Sequence, residues 1–348
     1  MNKDGVIMSN EKLKNNLKEQ VNLAKEGQVA FSQLYNNPEK GTFENEFIFF
    51  IKPELTLESK TINFDKIVDI VFDKISEFGL TIQDVKVLGA DYLKKYNIIA
   101  QHYGVINKLA SDPLENMSQG AKENLVNIAK VGSIDECMVM GALQFLDKYS
   151  FFNADSLDIL WQNGKTQKLA GGTYVESIKV DTDNVYLING FHPRQITHFT
   201  EAGRNIVVFT VSGNLSWADA RGKFIGSTNP ETADEASLRR YFLNNREELG
   251  IPEVNQGLNG VHLSAGPVEG LVELIRYNSN FSDANGVKNY KDFSFGRKLT
   301  ETFSESEIET MLANKNVSFN GKTVSVFDLT EEKSAGEALE LLKQAFGK

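Results

Sequence analysis

Five consecutive apolar residues, Phe47 to Ile51, end abruptly at Lys52-Pro53. A run this short suits a strand, and a strand with no polar residue on either side is read as buried on both faces. Proline then stops it, because a residue without an N–H cannot continue a central ladder. Asn205 to Ser212 (NIVVFTVS) reads as a second buried strand, and Leu80 to Ala90 (LTIQDVKVLGA) as a third. Between the first and third, Phe64, Ile67, Val68, Val71, Ile75 and Phe78 recur at helical spacing, with Gly79 placed to end the helix.

Elsewhere the pattern is mostly helical. Leu13, Leu17, Val21 and Ala24 predict an amphipathic helix within residues 10–36, broken by NNPEKGT. Residues 92–110, 116–131 and 135–149 read as helices, and Leu157 to Gln162 and Thr173 to Val180 as strands. Trp217 to Ile225, Ala236 to Asn244 and Val268 to Arg276 read as helices. The tail from 279 predicts a helix near Glu305 to Ala313, a strand pair around Asn320-Gly321 and a last helix from Ala335 to Phe346.

The net charge of -10 gives no general attraction to nucleic acid or to anionic membranes. Any anionic ligand must be held by a local cluster of cations or N–H groups. The single cysteine, Cys137, excludes an intrachain disulfide framework and reads as core filling. No apolar run approaches the roughly 20 residues of a membrane span, and the polar N-terminus lacks a signal-peptide core, so a cytoplasmic protein is expected. The four histidines, His102, His192, His198 and His262, show no zinc-protease spacing. Walker, Rossmann and nucleophile-elbow motifs are all missing from the sequence.

One ordered set of segments carries chemistry: IKPEL at 51–55, GSTNPETADEASLRRYF at 226–242 and NGVHLSAGPVEGLVELI at 259–275. Taken singly each has a bland reading. A lysine before proline ends a strand, TNP makes a turn, a lone histidine before a helix is structural and Glu273 is a solvated helix charge. Together, in this order and spacing, they resemble the nucleoside diphosphate kinases. That family has a strand-end lysine in IKPD, a GxTNP loop followed by an SIRG-type turn, and NxxH before a short helix. The matching residues here are Ile51 to Glu54, Gly226 to Pro230, Ser237 to Arg239, and Asn259 to His262.

The resemblance implies an α/β fold of ferredoxin type, an antiparallel sheet covered by helices. It implies a core of 46–106 and 186–277, an N-terminal helical extension at 1–45, an inserted α+β segment at 107–185 and a C-terminal extension at 278–348. It implies ping-pong transfer of the γ-phosphate of ATP to a nucleoside diphosphate through a phosphohistidine at His262. Glu273, eleven residues on, would orient the imidazole. Lys52, Arg239 and Mg²⁺ would offset phosphoryl charge, with Thr228 on a phosphate oxygen and Asn259 on a ribose hydroxyl or phosphate. Small-molecule nucleotides are the expected partners, within a homo-oligomer.

This chain departs from the family pattern at four points. Tyr103 fits the family's His-Tyr pair but lies further from Lys52 than usual. Phe191 and Arg194 stand as candidates for the base stack and the β-phosphate contact. The second phosphate arginine falls at Gly222, leaving Arg221 one residue off, about 100° on a helix. The HGSD pattern becomes His262-Leu263-Ser264-Ala265, which keeps the serine and loses the acid. A scaffold that binds nucleotide with weakened turnover is the alternative reading, and a phosphotransferase with a protein acceptor the third.

Overall fold

The computed structural model describes residues 9–37, 43–57 and 61–348; residues 1–8 and the PEKGT part of the expected break at 38–42 lie outside the described residues. The chain divides into two compact units, Met1–Tyr92 with Ala202–Lys348, and Leu93–Glu201.

The first unit is built on a five-stranded sheet: β1 (Phe31–Asn36), β2 (Asn45–Ile51), β3 (Thr81–Gly89), β4 (Asn205–Gly213) and β5 (Val261–Leu263), in the order β1-β3-β4-β2-β5. Every neighbouring pair is antiparallel. Without β1, the chain runs β2–helix–β3, then β4–helices–β5, and the strands interleave as β3-β4-β2-β5. This is the split β-α-β arrangement of a ferredoxin-like fold, as the sequence led one to expect. The principal helices are α1 (Asn10–Lys25), α2 (Pro53–Thr56), α3 (Phe64–Glu77), α4 (Leu238–Asn244) and α5 (Pro267–Asn278).

All five residues of the Phe47–Ile51 run are fully buried. Phe47, Phe49 and Ile51 join Val85, Val207 and Phe209 on the face covered by α1 and α3, which contribute Leu17, Val21, Ile67 and Val71. Ile48 and Phe50 lie on the opposite face with Val208, where α5 packs against β2.

Helix α1 is shorter than expected. Gly27, at φ +72°, supplies the left-handed residue that ends it, and Phe31–Asn36 becomes an edge strand on β3. Trp217–Ile225 also departs from one regular helix: a short turn at Trp217–Asp219 runs into a π-helical turn at Ala220–Ile225.

In the second unit, four strands lie in the order Met138–Gly141, Asp183–Ile188, Thr173–Val180, Gln167–Ala170; the first pair is parallel and the others antiparallel. Two sequence expectations fail here. The apolar stretch at 135–149 is not one helix, because Met138–Gly141 is a strand and the helix begins only at Ala142. The backbone approaches closely at Gly141, where a Cβ would stand 2.1 Å from the Ala110 carbonyl oxygen. Leu157 to Gln162 is helical, within Ala154–Gln162; the Asn153 side chain caps it by accepting from the Ser156 N–H. Leu157 and Trp161, one turn apart, form its buried face, which alternation alone does not distinguish from a strand.

The unit spans Leu93–Glu201 rather than 107–185. Leu109 and Ala110 belong to its apolar clusters, and Asn107 bonds His192 at 3.0 Å. Among the described residues, no helix is long and apolar enough to cross a membrane.

Phe49 holds three elements of the first unit together, with ring centroids 5.6 Å from Phe209 on β4 and 5.3 Å from Phe224. We expect Phe49→Ala to lower unfolding stability by about 3–5 kcal/mol. Urea denaturation measures this, and a loss below about 1 kcal/mol would show the layer to be repackable.

Candidate active site

Lys52 follows β2 directly and precedes the proline that opens α2. Two backbone clasps fix it opposite the segment before β5. The Lys52 N–H donates to the Gly260 carbonyl at 2.8 Å, and the Gly260 N–H donates to Glu54 Oε1 at 2.9 Å. Gly260 sits at φ +81°, and a Cβ there would stand 2.7 Å from Leu55, so this position requires glycine.

The Lys52 ammonium is buried and donates to Asn259 Oδ1 at 2.7 Å. Burial lowers its pKa from 10.5 to about 8; the Glu54 carboxylate opposes the drop and Arg239 adds to it. Asn259 in turn donates from Nδ2 to the carbonyls of Thr228 and Gln256, both at 3.1 Å. Arg239 is also buried. It donates to the Gly226 carbonyl at 2.8 Å and to the Val261 carbonyl at 3.0 Å. Ser237 caps α4 and so places Arg239 in its first turn. The loop beginning at Gly226 is thereby tied to β5. Two cations, Lys52 and Arg239, are buried beside one carboxylate, Glu54.

One residue beyond Val261, His262 stands on β5 opposite Phe50 of β2, and the two rings stack with centroids 4.5 Å apart. Its Nε2 lies 2.9 and 3.0 Å from the two oxygens of buried Glu273 on α5. Ser264 donates from Oγ to Glu273 Oε2 at 2.6 Å, leaving Oε1 as the natural acceptor for the ring. A carboxylate facing Nε2 keeps the proton on that nitrogen, which makes Nδ1 the basic one. Ser264 is itself fixed by β2, since the Ile48 N–H donates to its Oγ at 3.1 Å. Glu269, one turn before Glu273, has its pKa raised to about 8. Burial is the main cause, followed by the Glu273 charge, against a smaller pull from Arg221.

Of the residues singled out in the sequence, Lys52, Asn259, Arg239, His262 and Glu273 come together along one β2–β5 ladder. Thr228 joins through its carbonyl, with its side chain on the exposed loop. Arg221 belongs to the same unit but is engaged by the C-terminal region. It pairs with Glu331 and, at 3.5 Å, with Glu332, and contacts the Ala265 carbonyl at 3.4 Å.

Tyr103, Phe191 and Arg194 lie in the second unit. There Phe191 packs on Trp161 and Tyr174, Tyr103 lies near Phe199, and Arg194 pairs with Asp155 at 2.9 Å and Glu201 at 3.6 Å. Sequence reading did not assign roles to Phe50, Glu54, Ser264 or Glu269. Only Ser264 and Glu54 carried a signal, through their fixed offsets from His262 and Lys52. The sequence matches no protein-family model and no curated protein.

The depressed Lys52 pKa has a defined consequence for stability. As pH rises, the folded lysine loses its proton near 8 and the unfolded one near 10.5. Between these values the unfolded chain binds more protons, so folding gains with pH; below about pH 8 the cost of the buried charge is present in full. Relative to Lys52→Met, the wild type should gain roughly 3 kcal/mol across that window. Stability–pH profiles of the two proteins measure this, and a difference between them that stays constant from pH 8 to 10.5 would show that Lys52 is not buried as a charge.

Proposed function

We propose that this protein is a phosphotransferase of the nucleoside diphosphate kinase type, carrying the γ-phosphoryl group between nucleotides on His262. The observation that carries this reading is the Ser264–Glu273–His262 chain. It fixes one ring nitrogen and directs nucleophilic chemistry to the other, beside two buried cations.

In the first half-reaction, the lone pair of His262 Nδ1 attacks the γ-phosphorus of a nucleoside triphosphate. A P–N bond forms and the bond to the β-bridging oxygen breaks, releasing the diphosphate. The Nε2 proton stays directed at Glu273, which stabilises the positive charge that develops on the ring. Lys52 and Arg239 offset negative charge on the phosphates in a dry setting, where such contacts are worth most. An arriving phosphate favours the charged form of Lys52 and so reverses the effect of its burial. The second half-reaction reverses these steps onto another diphosphate.

The nearby carboxylates do not suit a resident metal. Glu54 accepts from Gly260, Glu273 is taken by His262 and Ser264, and burial with the Glu273 charge favours the neutral form of Glu269. The donor set instead fits Mg²⁺ arriving as part of the nucleotide, with phosphate oxygens and water as its ligands.

One observation favours the second reading, a nucleotide-binding protein with weakened turnover: Arg221 is held by Glu331 and Glu332.

Incubation with γ-labelled ATP and Mg²⁺ separates the two readings. We expect a label on His262 that survives base, is lost in acid and chases to added diphosphate. We expect His262→Ala to carry no label, and Glu273→Gln to turn over about a hundredfold more slowly with nucleotide affinity changed less than about threefold. Nucleotide binding without a label selects the second reading, and turnover in His262→Ala within about tenfold of wild type overturns the mechanism.

A further inference from the structure

The sheet of the first unit changes character along its second face. At one end that face carries Ile48, Phe50 and Val208 beneath α5. Further along, register places Glu46 beside Ser212, Thr210 beside Asp84, and Lys86 beside Gln33, all on the same face. Polar residues on a sheet face normally mean solvent. Here Asp84, Lys86, Thr210 and Ser212 are all buried.

A cavity of about 300 Å³ stands over them, walled by Asn278 at the end of α5 and by the segment running from there to Arg297. Its size is at the lower end of the roughly 300–1,000 Å³ of small-molecule sites. Burying these four polar side chains on one face is costly unless each is bonded, and here they belong to a network. Lys86 pairs with Asp84 and donates to Asn278 Oδ1 at 2.7 Å. Asn278 and Thr210 are bonded at 2.9 Å, Gln83 donates to Ser212 at 2.8 Å, and Gln33 donates to Asp84 at 2.5 Å. Glu46 accepts from the Ser294 N–H at 2.7 Å.

We propose that this cavity binds a small neutral polyol of monosaccharide size. Charge argues for neutrality. On the floor Lys86 is matched by Asp84, and Lys288 and Arg297 line the same cavity as Asp283, Asp292 and Glu46, so both signs are present with one carboxylate in excess. An anion would meet the carboxylates and a cation the ammonium and guanidinium groups. Hydroxyls, which both donate and accept, match the mixed amide, hydroxyl and carboxylate floor. Phe31, Phe43 and Phe293 line the same cavity and offer ring surface to the C–H face of a sugar. The assignment does not rest on phosphotransfer at His262.

Saturation-transfer NMR on the full chain tests it with D-ribose, D-glucose, D-galactose and myo-inositol, beside glucose 6-phosphate and glucosamine as charged counterparts. We expect at least one neutral probe to bind saturably, with its charged counterpart about tenfold weaker. Gln33→Trp places a large strand-favouring side chain on an exposed edge residue at the cavity. It should weaken binding at least about tenfold in a protein that still unfolds cooperatively. Thr210→Val removes one floor hydroxyl at constant volume, and should weaken binding even if the tryptophan variant folds poorly. Three results overturn the proposal: no binding of any neutral probe, which leaves a water-filled cavity; tighter binding of a charged counterpart; or unchanged binding in both variants.

Discussion

Strand β2 has no side that can face water, and the rest of the first unit is arranged around that constraint. From Phe47 to Ile51 its residues on both faces are apolar and fully buried, so a layer is required on each face. Helices α1 and α3 provide one and α5 provides part of the other. The same strand sets the chemistry. Ile48 holds Ser264, Phe50 stacks on His262, and Lys52 lies one residue past the end of the ladder. A slip of one residue in the β2–β5 register would turn His262 to the other face. Packing of the core and aim of the imidazole are thus one requirement.

The charges nearby follow a second logic. Lys52 and Arg239 are held by side-chain and backbone oxygens, with one acid between them. Carbonyl acceptors orient a cation without neutralising it. Two cations and one acid are thus gathered on a chain whose overall charge is -10. On α5 the balance runs the other way: burial and the neighbouring Glu273 charge push the Glu269 carboxyl well above the usual carboxylate range.

Strands β2, β3 and β4 and the helix at 64–77 were legible because their apolar patterns are unambiguous, whereas β1 fell within the expected N-terminal helix and the three residues of β5 were too few to read as a strand. Lys52, Asn259 and Glu273 were singled out through the family resemblance, and the structure places Lys52 against Asn259 and Glu273 against His262. The failures share a cause. Met138–Gly141 and Leu157–Gln162 are brief apolar runs whose helix or strand character depends on caps and neighbours far along the chain. Arg221 could not be read because its partners, Glu331 and Glu332, lie about a hundred residues away in sequence. Phe191 and Arg194 sat next to a core strand in sequence, yet their rings and charges are satisfied by Trp161, Tyr174, Asp155 and Glu201 within the second unit. The polar face at Asp84 and Lys86 was hidden because alternation in β3 looks the same whether the polar side meets solvent or a walled cavity.

The inserted unit leaves and rejoins the sheet at one place. Gly89 of β3 is the register partner of Asn205 of β4, and the Ala90 N–H donates to the Arg204 carbonyl at 2.8 Å. To the sheet, everything between is a hairpin loop. The entropy of closing a loop grows only logarithmically with its length, so enlarging a short turn to this size adds only a few kcal/mol. The added unit recovers that through a core of its own. Such a junction is a graft point: a lineage could acquire, exchange or discard the whole unit here without re-registering a single strand of the sheet that carries the histidine.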